Sequence, residues 1–282
     1  MLGGFREILA GRRSAGAAAG SFTCYDVTTA CGVLHAAEER EVPAILLVSE
    51  ASVRSRDGRF LLPALAAVAR EASVPVCVQL DHAASLELIE AALATGAVGA
   101  VLVDGSRLPF AENVAFVREA RALLERHGAE LEVELGHVEG GEDVAAATRA
   151  GKLTDPAQAG QFVAATGTSC LAVSIGNVHG VYAAPPALDW ERLDAIAASV
   201  DVPLSLHGAS GLPDADLQRA VRAGIAKVNV NTELRQRTFA ELEARLGELV
   251  RGYRIADLDE AVVTAVAEVA GAKLDLLGGE GR

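Results

Sequence analysis

Three of the six histidines in this sequence of 282 residues lie at or just beyond the ends of short apolar runs. His82 ends "PVCVQLDH", His179 follows "LAVSIGNV" and His207 ends "PLSLH". Any one of them alone would more often be a polar residue with ordinary hydrogen bonds. Three imidazoles that converge with a fourth position open are, however, the ligand set of a catalytic zinc ion. The chemistry available to this chain therefore depends on whether the three runs end at one place.

Carboxylates follow the same pattern. Asp81 precedes His82, Asp104 ends "VLVD", and Glu134 lies in "LEVELG". Neighbours on a strand point to opposite faces. Asp81 and His82 can therefore face the same site only if their strand ends at that site. Unpaired buried carboxylates are strongly disfavoured, so Asp104 and Glu134 either pair with cations or surround a metal as ligands or as partners of its imidazoles. Both readings stay open.

The elements that must position these residues alternate regularly between β-like runs and amphipathic helical stretches. Eight such units without a linker favour a single α/β domain over residues 1–282, a (β/α)8 TIM barrel, rather than a doubly wound sheet. A helical extension is expected over 258–282. The predicted strands span residues 20–25, 44–49, 75–81, 98–104, 131–136, 170–176, 203–208 and 227–231.

Barrels of this kind place their chemistry at the C-terminal ends of the strands, where the histidines and carboxylates fall. Small residues and amides cluster over the last strands, in "NVHG", "HGASG" and "NVNT". Gly180, Gly208 and Ser210 leave backbone amides unobstructed, which is how loops in many barrels hold a phosphate. The loop "GHVEGGEDV" is acidic and rich in glycine. It is either a solvated loop or a lid that moves Glu142 or Asp143 over a ligand as a general base.

Composition narrows the classes of function. A net charge of -13 argues against a nucleic-acid partner or an anionic membrane surface. No apolar run approaches the ~20 residues needed to span a bilayer, and the first residues lack a signal-peptide pattern. We read the four scattered cysteines as reduced and buried, and we expect a cytoplasmic protein. His35 and His127 are read as surface or helix-terminal residues, and His137 as a loop residue or a substitute ligand.

The motifs together resemble the class II, metal-dependent ketose-bisphosphate aldolases, of the shorter branch that includes tagatose-bisphosphate aldolases. The resemblance covers nearly the whole chain, from about Phe22 to Thr232 and more loosely beyond. Several long motifs in the correct order are far more specific than any single one. They are "QLDH", "VDGSRLPFAENV", "EVELGHVEGGED", "LAVSIGNVHGVY", "PLSLHGASG" and "KVNVNTELR".

This resemblance implies that a phosphorylated ketose is cleaved to dihydroxyacetone phosphate, or a close analogue, and an aldehyde. It implies zinc on His82, His179 and His207, with Asp81 as the acid/base and Glu142 as the loop residue that moves a proton beside the ketone. Asp104 and Glu134 match carboxylates near the metal. The positions matched to binding of the substrate or its phosphate are Gly180, Gly208, Ser210, Asn229, Thr232 and Ser49. The family also commonly holds a monovalent cation (Na⁺ or K⁺) near that phosphate and forms homodimers or homotetramers.

The sequence departs from the family pattern at several positions: Thr23 replaces Asn, Ala83 and Ala209 replace Gly, Glu139 shifts the glycine pair of the loop, and "GYRIADLDEA" lacks a usual Asp-Pro-Arg stretch. These changes spare the metal set and fall on residues that could touch the aldehyde, so we expect an aldehyde other than that of glycolysis. Two other functions were weighed. A zinc hydrolase on the same barrel usually has His-x-His on strand one, which is absent; an aldolase-like partner subunit or scaffold without activity would lack parts of the metal set.

Overall fold

The structure, a computed structural model, describes residues 1–138, 146–147, 151–182 and 187–279. Within these residues, eight parallel strands close into a barrel in the order β1-β10-β9-β7-β5-β4-β3-β2, while β6 and β8 form a separate pair. The predicted TIM barrel is confirmed, and the doubly wound sheet is excluded because the sheet closes. The strands are β1 (Ala19–Thr23), β2 (Ala44–Ser49), β3 (Val76–Ala83), β4 (Ala100–Val103), β5 (Glu130–Leu135), β6 (Ala146–Ala147), β7 (Cys170–Val173), β8 (Val181–Tyr182), β9 (Leu204–Leu206) and β10 (Ile225–Val230).

Helices surround the barrel, and several of them begin or end at the polar or glycine residues expected of helix caps. Asp26 accepts a hydrogen bond from Thr29 N in a capping box, and Gly128 ends α6 with a left-handed φ of 66°. The helices are α1 (Phe5–Ser14), α2 (Val27–Glu39), α3 (Glu50–Arg54), α4 (Gly58–Glu71), α5 (Leu86–Leu93), α6 (Phe110–His127), α7 (Pro156–Thr166), α8 (Trp190–Ser199), α9 (Asp214–Arg222), α10 (Thr232–Gly252) and α11 (Ile255–Leu276).

The interior of the barrel is apolar at its N-terminal end. Phe5, Ile8 and Leu9 of α1 pack there against inward side chains of the strands, among them Ile45 and Leu47, and all of them are buried. Side chains fill such barrels in layers, so this layer seals the end away from the predicted site. The polar side chains are therefore concentrated toward the opposite, C-terminal end.

Two strands differ from the predicted bounds in a way that shapes the site. β7 ends at Val173 rather than at residue 176, because the Asn177 side chain accepts the Ile175 amide and turns the chain toward His179. β3 continues to Ala83, so the expectation that it ends at Asp81 is wrong. The cause lies in the backbone at His82, described below.

The C-terminal part of the chain adds α10 and α11 outside the barrel. The predicted extension over 258–282 is helical to Leu276, and α11 buries Ala265, Val266 and Leu274. α11 crosses α2 closely: a Cβ on Gly32 would lie 2.7 Å from Cβ of Val266. In the part of the chain that the structure describes, no helix is both long and apolar enough to span a bilayer. Division of the chain into domains stays a prediction.

Candidate metal centre and active site

The three strand-end histidines converge at the mouth of the barrel. β3 and β9 stand four positions apart in the closed order of eight, on opposite sides of the barrel. Their histidines nevertheless meet, with His82 Nε2 3.0 Å from His207 Nδ1. The His179 ring centroid lies 5.0 Å from that of His82, and one ring nitrogen from each of the three residues lies within 4.8 Å of the others. The cluster therefore sits where the two sides of the barrel meet, as the sequence predicted.

Backbone geometry at His82 explains how it shares a site with Asp81. His82 has a φ of +49°, a left-handed value that is uncommon for a residue other than glycine. The pairing of β3 with β4 shifts register between Leu80 and Ala83, which marks a bulge. The bulge re-aims the His82 side chain, so Asp81 reaches Asn229 across the barrel, with Oδ1 3.5 Å from Nδ2, while His82 reaches His207. Adjacent residues on one strand thus enter the same cavity.

Hydrogen bonds fix the orientation of two of the rings. His82 Nδ1 lies 2.8 Å from Asp104 Oδ2, and His207 Nε2 lies 3.1 Å from Glu132 Oε1. If each of these nitrogens donates its proton to a carboxylate, the remaining nitrogens of the two rings both present lone pairs to the 3.0 Å gap between them. Two facing lone pairs repel unless a cation lies between them. A proton or a metal ion satisfies that requirement, so the donor set fits a bound zinc ion.

The carboxylates around the cluster carry perturbed pKa values. Burial alone would lower the pKa of His82, but Asp81 and Asp104 raise it well above its usual value. Burial likewise opposes ionisation of Asp104, yet the hydrogen bond and charge of His82 hold its pKa well below the usual range. Burial, reinforced by Asp104, raises the pKa of Glu134 to about 8. These opposed shifts are characteristic of a functional site.

Glu134 lies beside two of the three histidines. Its Oε2 lies 3.7 Å from Nδ1 of both His82 and His207 and is buried without a hydrogen-bond partner among the described residues. Glu134 also forms, with His82 and Asp104, a second group of possible metal ligands. An orphaned buried carboxylate oxygen is costly, and a cation bound beside it would remove that cost.

A buried ion pair below the histidines was not predicted. Lys227 Nζ lies 3.1 Å from Glu132 Oε2, and Gln79 Nε2 donates to the same oxygen at 2.6 Å. Burial disfavours the charged form of Glu132, but Lys227 and His207 hold its pKa well below its usual value. Glu132 therefore connects this pair to the His207 ring. The signal was in the sequence, because Glu132 and Glu134 are two apart on one strand and face the same side.

The residues predicted to hold the phosphate lie on the loops after β7 and β9, near the end of β10 and at the start of α10. Gly208 has a φ of +59°, and a Cβ there would lie 2.1 Å from the Val178 carbonyl oxygen, so this approach of the two loops requires glycine. Ser210 Oγ accepts a hydrogen bond from the Asn231 amide at 3.4 Å. Thr232 is the first residue of α10, and Gly180 has a φ of +92°. Asn229 accepts from Lys227 and donates to Asp81, so it connects the phosphate side to the predicted acid/base.

The remaining predicted residues have different outcomes. Ser49 follows the same register as Asp81 on the neighbouring strand, and its Oγ caps α3 by accepting from Ser52 N. Glu142 and Asp143 lie outside the described residues. His137 is a loop residue whose Nδ1 lies 3.0 Å from Ser106 Oγ. His35 is exposed on α2 and His127 is exposed in the last turn of α6, as expected.

The four cysteines are free thiols. Three of them, Cys24, Cys77 and Cys170, are buried, and Cys31 is half-buried. Burial raises the pKa of Cys77 to about 12, so this thiol stays protonated and unreactive at neutral pH. The expectation of reduced cysteines fits this arrangement, and that of full burial holds for three of the four.

Comparison with known proteins fits this geometry. The family model described as fructose-bisphosphate aldolase class-II matches residues 4–282. The chain belongs to the class II fructose-bisphosphate aldolase family. Proteins of this family are generally metal-dependent, and the histidine cluster provides the groups that could bind a metal.

Two further relatives of this aldolase sequence extend the comparison. The sequence is 37% identical over 262 residues to the uncharacterized protein YdjI of Escherichia coli (strain K12). The aligned residues cover 93% of this chain and 92% of YdjI. The crystal structure of the YdjI aldolase superposes with a TM-score of 0.87 at 33% identity, over 100% of this chain and 99% of that one. Fructose-bisphosphate aldolase from Campylobacter jejuni has a TM-score of 0.79 at 20% identity, over 96% and 93% of the two chains, and shows the common fold. The family model and the similarity to the YdjI aldolase support an aldolase.

Proposed function

We propose that this protein is a zinc-dependent aldolase that reversibly cleaves a phosphorylated ketose into dihydroxyacetone phosphate, or a close analogue, and an aldehyde. The observation that carries the proposal is the convergence of His82, His179 and His207 beside the carboxylate of Asp81. When bound, the zinc ion would supply positive charge that stabilises the negative charge formed as the carbon–carbon bond breaks beside the ketone.

Residues of the chain divide the remaining work. Asp81 is buried and within 3.5 Å of Asn229, so its carboxylate is held in place to move a proton to or from the aldehyde-derived oxygen. The amides around Gly180, Gly208 and Ser210 and the N-terminus of α10 at Thr232 bind the phosphate, since glycine-rich loops and helix N-termini direct backbone N–H groups toward anions. Ser49, beside Asp81, contacts the substrate. Binding the phosphate far from the reacting bond orients the ketone.

Several finer assignments belong to the same proposal. Glu142 carries the proton at the carbon beside the ketone, and a monovalent cation lies near the phosphate. The aldehyde differs from that of glycolysis, since the departures from the family pattern spare the three histidines and fall more on residues that could touch the aldehyde. The enzyme works as a homodimer or homotetramer in the cytoplasm. A scaffold role without catalysis is the alternative, and no observation favours it.

The test combines metal analysis with a substrate screen. Purified protein should contain zinc near one ion per chain, or take it up, and should release dihydroxyacetone phosphate from at least one phosphorylated ketose. His82→Ala should lose zinc and activity together. If the purified protein binds no zinc, the scaffold role is favoured. If it cleaves fructose 1,6-bisphosphate as fast as any other phosphorylated ketose, the proposal that its aldehyde differs from that of glycolysis is refuted.

A further inference from the structure

Helix α11 holds a lysine that is almost fully buried. Lys273 is 8% exposed, and a buried lysine is disfavoured unless its charge is paired. Its Nζ lies 2.8 Å from Oε2 of Glu233, which is in the first turn of α10. The ion pair therefore joins α11 to the start of the helix that follows β10.

The other oxygen of the same carboxylate holds the glycine-rich loop after β9. Glu233 Oε1 accepts a hydrogen bond from the Gly211 amide at 2.7 Å. Gly211 ends the loop "HGASG" and has a φ of +84°, a value that favours glycine. In the same loop, Ser210 Oγ accepts from the Asn231 amide at 3.4 Å. Lys273, Glu233 and Gly211 thus form a chain of polar contacts that runs from α11 to this loop.

Glu233 places a negative charge beside the two segments that are proposed to bind the phosphate. Thr232 directly precedes it in α10, and Ser210 directly precedes the Gly211 amide to which it is bound. A carboxylate in the first turn of a helix is stabilised by the helix dipole, but it repels a phosphate that binds at the same end. The ammonium group of Lys273 offsets that repulsion and leaves the hydrogen bond to Gly211 in place.

We infer that Lys273 is a positioning residue for binding of the substrate's phosphate. It neutralises Glu233, so this carboxylate holds the loop after β9 against α10 without repelling the anion. Lys273 acts through Glu233 rather than by contact with the substrate. A helix outside the barrel therefore contributes to the affinity for substrate. This inference rests on the proposed aldolase function.

Steady-state kinetics of the zinc-loaded Lys273→Met variant test the inference, with the phosphorylated ketose that the parent enzyme cleaves best. The variant leaves Glu233 unneutralised. KM for the ketose and the inhibition constant of inorganic phosphate should each rise about tenfold, as loss of one partner of a charge-assisted bond typically has an effect of that order. Zinc content and kcat should change little, because only binding of the phosphate is weakened. Lys273→Gln, whose amide still donates to Glu233 without a charge, should show the same rise if Lys273→Met does not fold.

A double variant separates the charge of Lys273 from its packing. Glu233→Gln added to either Lys273 variant keeps an oxygen that accepts the Gly211 amide but removes the negative charge. The double variant should therefore recover the KM and the phosphate inhibition constant of the parent enzyme. A lysine that only supported the fold would give no such recovery.

Arg40→Met is the matched control. Arg40 Nε lies 2.8 Å from Oδ1 of Asp275, two positions beyond Lys273 on α11, so this variant also removes the cation from an ion pair of the same helix. Its KM should equal that of the parent enzyme. An unchanged KM in the Lys273 variants, an equal rise in Arg40→Met, or no recovery in the double variant would overturn the inference and leave the aldolase proposal intact. A parent protein that cleaves no phosphorylated ketose would refute the proposed function and this inference with it.

Discussion

His82 and His207 each direct one ring nitrogen to a carboxylate and the other to the gap between the rings. Asp104 and Glu132 thereby select which nitrogen of each ring is available at the centre of the barrel. Asp81 contacts Asn229 across the barrel. Under the proposed function, the site at the scale of residues thus separates carboxylates that orient metal ligands from one that moves a proton.

Asp81 should be needed for catalysis and dispensable for zinc. Asp81→Ala should keep its zinc content and lose cleavage by ~10²–10⁴-fold, because a positioned acid/base group typically contributes that much. Atomic absorption and a coupled assay for dihydroxyacetone phosphate check the two halves of the prediction. Activity close to that of the parent enzyme would show that the proton is carried by another group.

Glu132 should act on zinc through His207. Glu132→Gln should weaken zinc binding about 10- to 100-fold, as loss of a hydrogen-bonded partner behind a metal ligand usually does. Competition with a chromophoric chelator measures the affinity. Glu130→Gln is the matched control. It makes the same chemical change at the start of the same strand, where Glu130 pairs with Arg6 at the surface.

A second substitution separates metal binding from stability. Glu132→Gln also leaves the buried Lys227 without its counter-ion, which should lower the free energy of unfolding. Adding Lys227→Met should recover stability, since a buried pair can be replaced by apolar groups, but should leave zinc affinity low. Recovery of zinc affinity together with stability would mean that Glu132 acts through the fold alone.

Much of the site could be predicted from residue types at strand ends, including the three histidines, Asp104 and Glu134. Glu132 and Lys227 were not predicted because they lie inside the barrel, two positions before Glu134 and Asn229. Alternate residues of a strand face the same side, so the positions of Glu134 and Asn229 would have indicated them.

The pairing of Lys273 with Glu233 could not be predicted from residue types. The two residues are 40 positions apart on different helices, where no periodicity relates them. Only the folded chain brings them together.

β3 illustrates at the scale of elements why strand bounds are harder to predict than strands. The apolar run indicated the strand and its place in the barrel, but a bulge depends on the local backbone conformation, which residue type specifies weakly. A left-handed residue within a strand costs of order 1–3 kcal/mol unless it is glycine. The strand retains His82 in this conformation, so the strain serves to direct the imidazole.

This strain gives a prediction about stability. His82→Gly should be more stable than His82→Ala by about 1 kcal/mol, because glycine adopts a positive φ without steric cost while alanine does not. Both variants lose the imidazole, so their difference isolates the backbone. Urea unfolding in the presence of a chelator measures it. Equal stability, or a more stable alanine variant, would mean that the bulge relaxes when the imidazole is absent.

At the scale of the whole molecule, the outer surface of α10 bears on whether the protein assembles into an oligomer. Within α10, all of which the structure describes, only Leu234 is buried. An apolar stripe runs along one face of the helix and past its end, with Phe239 67%, Leu246 58% and Tyr253 87% exposed. Charged side chains of both signs flank the stripe, among them Arg245 and Glu248, which form an ion pair. Exposed apolar surface of this kind is typical of an interface, so this stripe is the surface through which we expect the proposed homodimer or homotetramer to assemble.

The proposed homodimer or homotetramer should therefore depend on this stripe. Leu246→Glu combined with Val250→Glu should reduce the mass of the assembly in light scattering, because buried unpaired carboxylates oppose association. Ala240→Glu combined with Ala244→Glu is the control, since both positions are exposed on another face of α10 at the same spacing. A monomeric parent protein, or an assembly unaffected by the first pair, would contradict the prediction.

His82 and His207 are 125 residues apart in the chain, yet their ring nitrogens come within 3.0 Å of each other. The unfolded chain has no such site, so a metal ion that needs both histidines binds almost exclusively to the folded barrel. By mass action, free metal at 100 times its dissociation constant would then add about 2.7 kcal/mol to the free energy of unfolding. The melting temperature of this barrel would therefore depend on the concentration of free zinc as well as on its sequence. Two preparations of identical chains with different metal content would unfold at different temperatures.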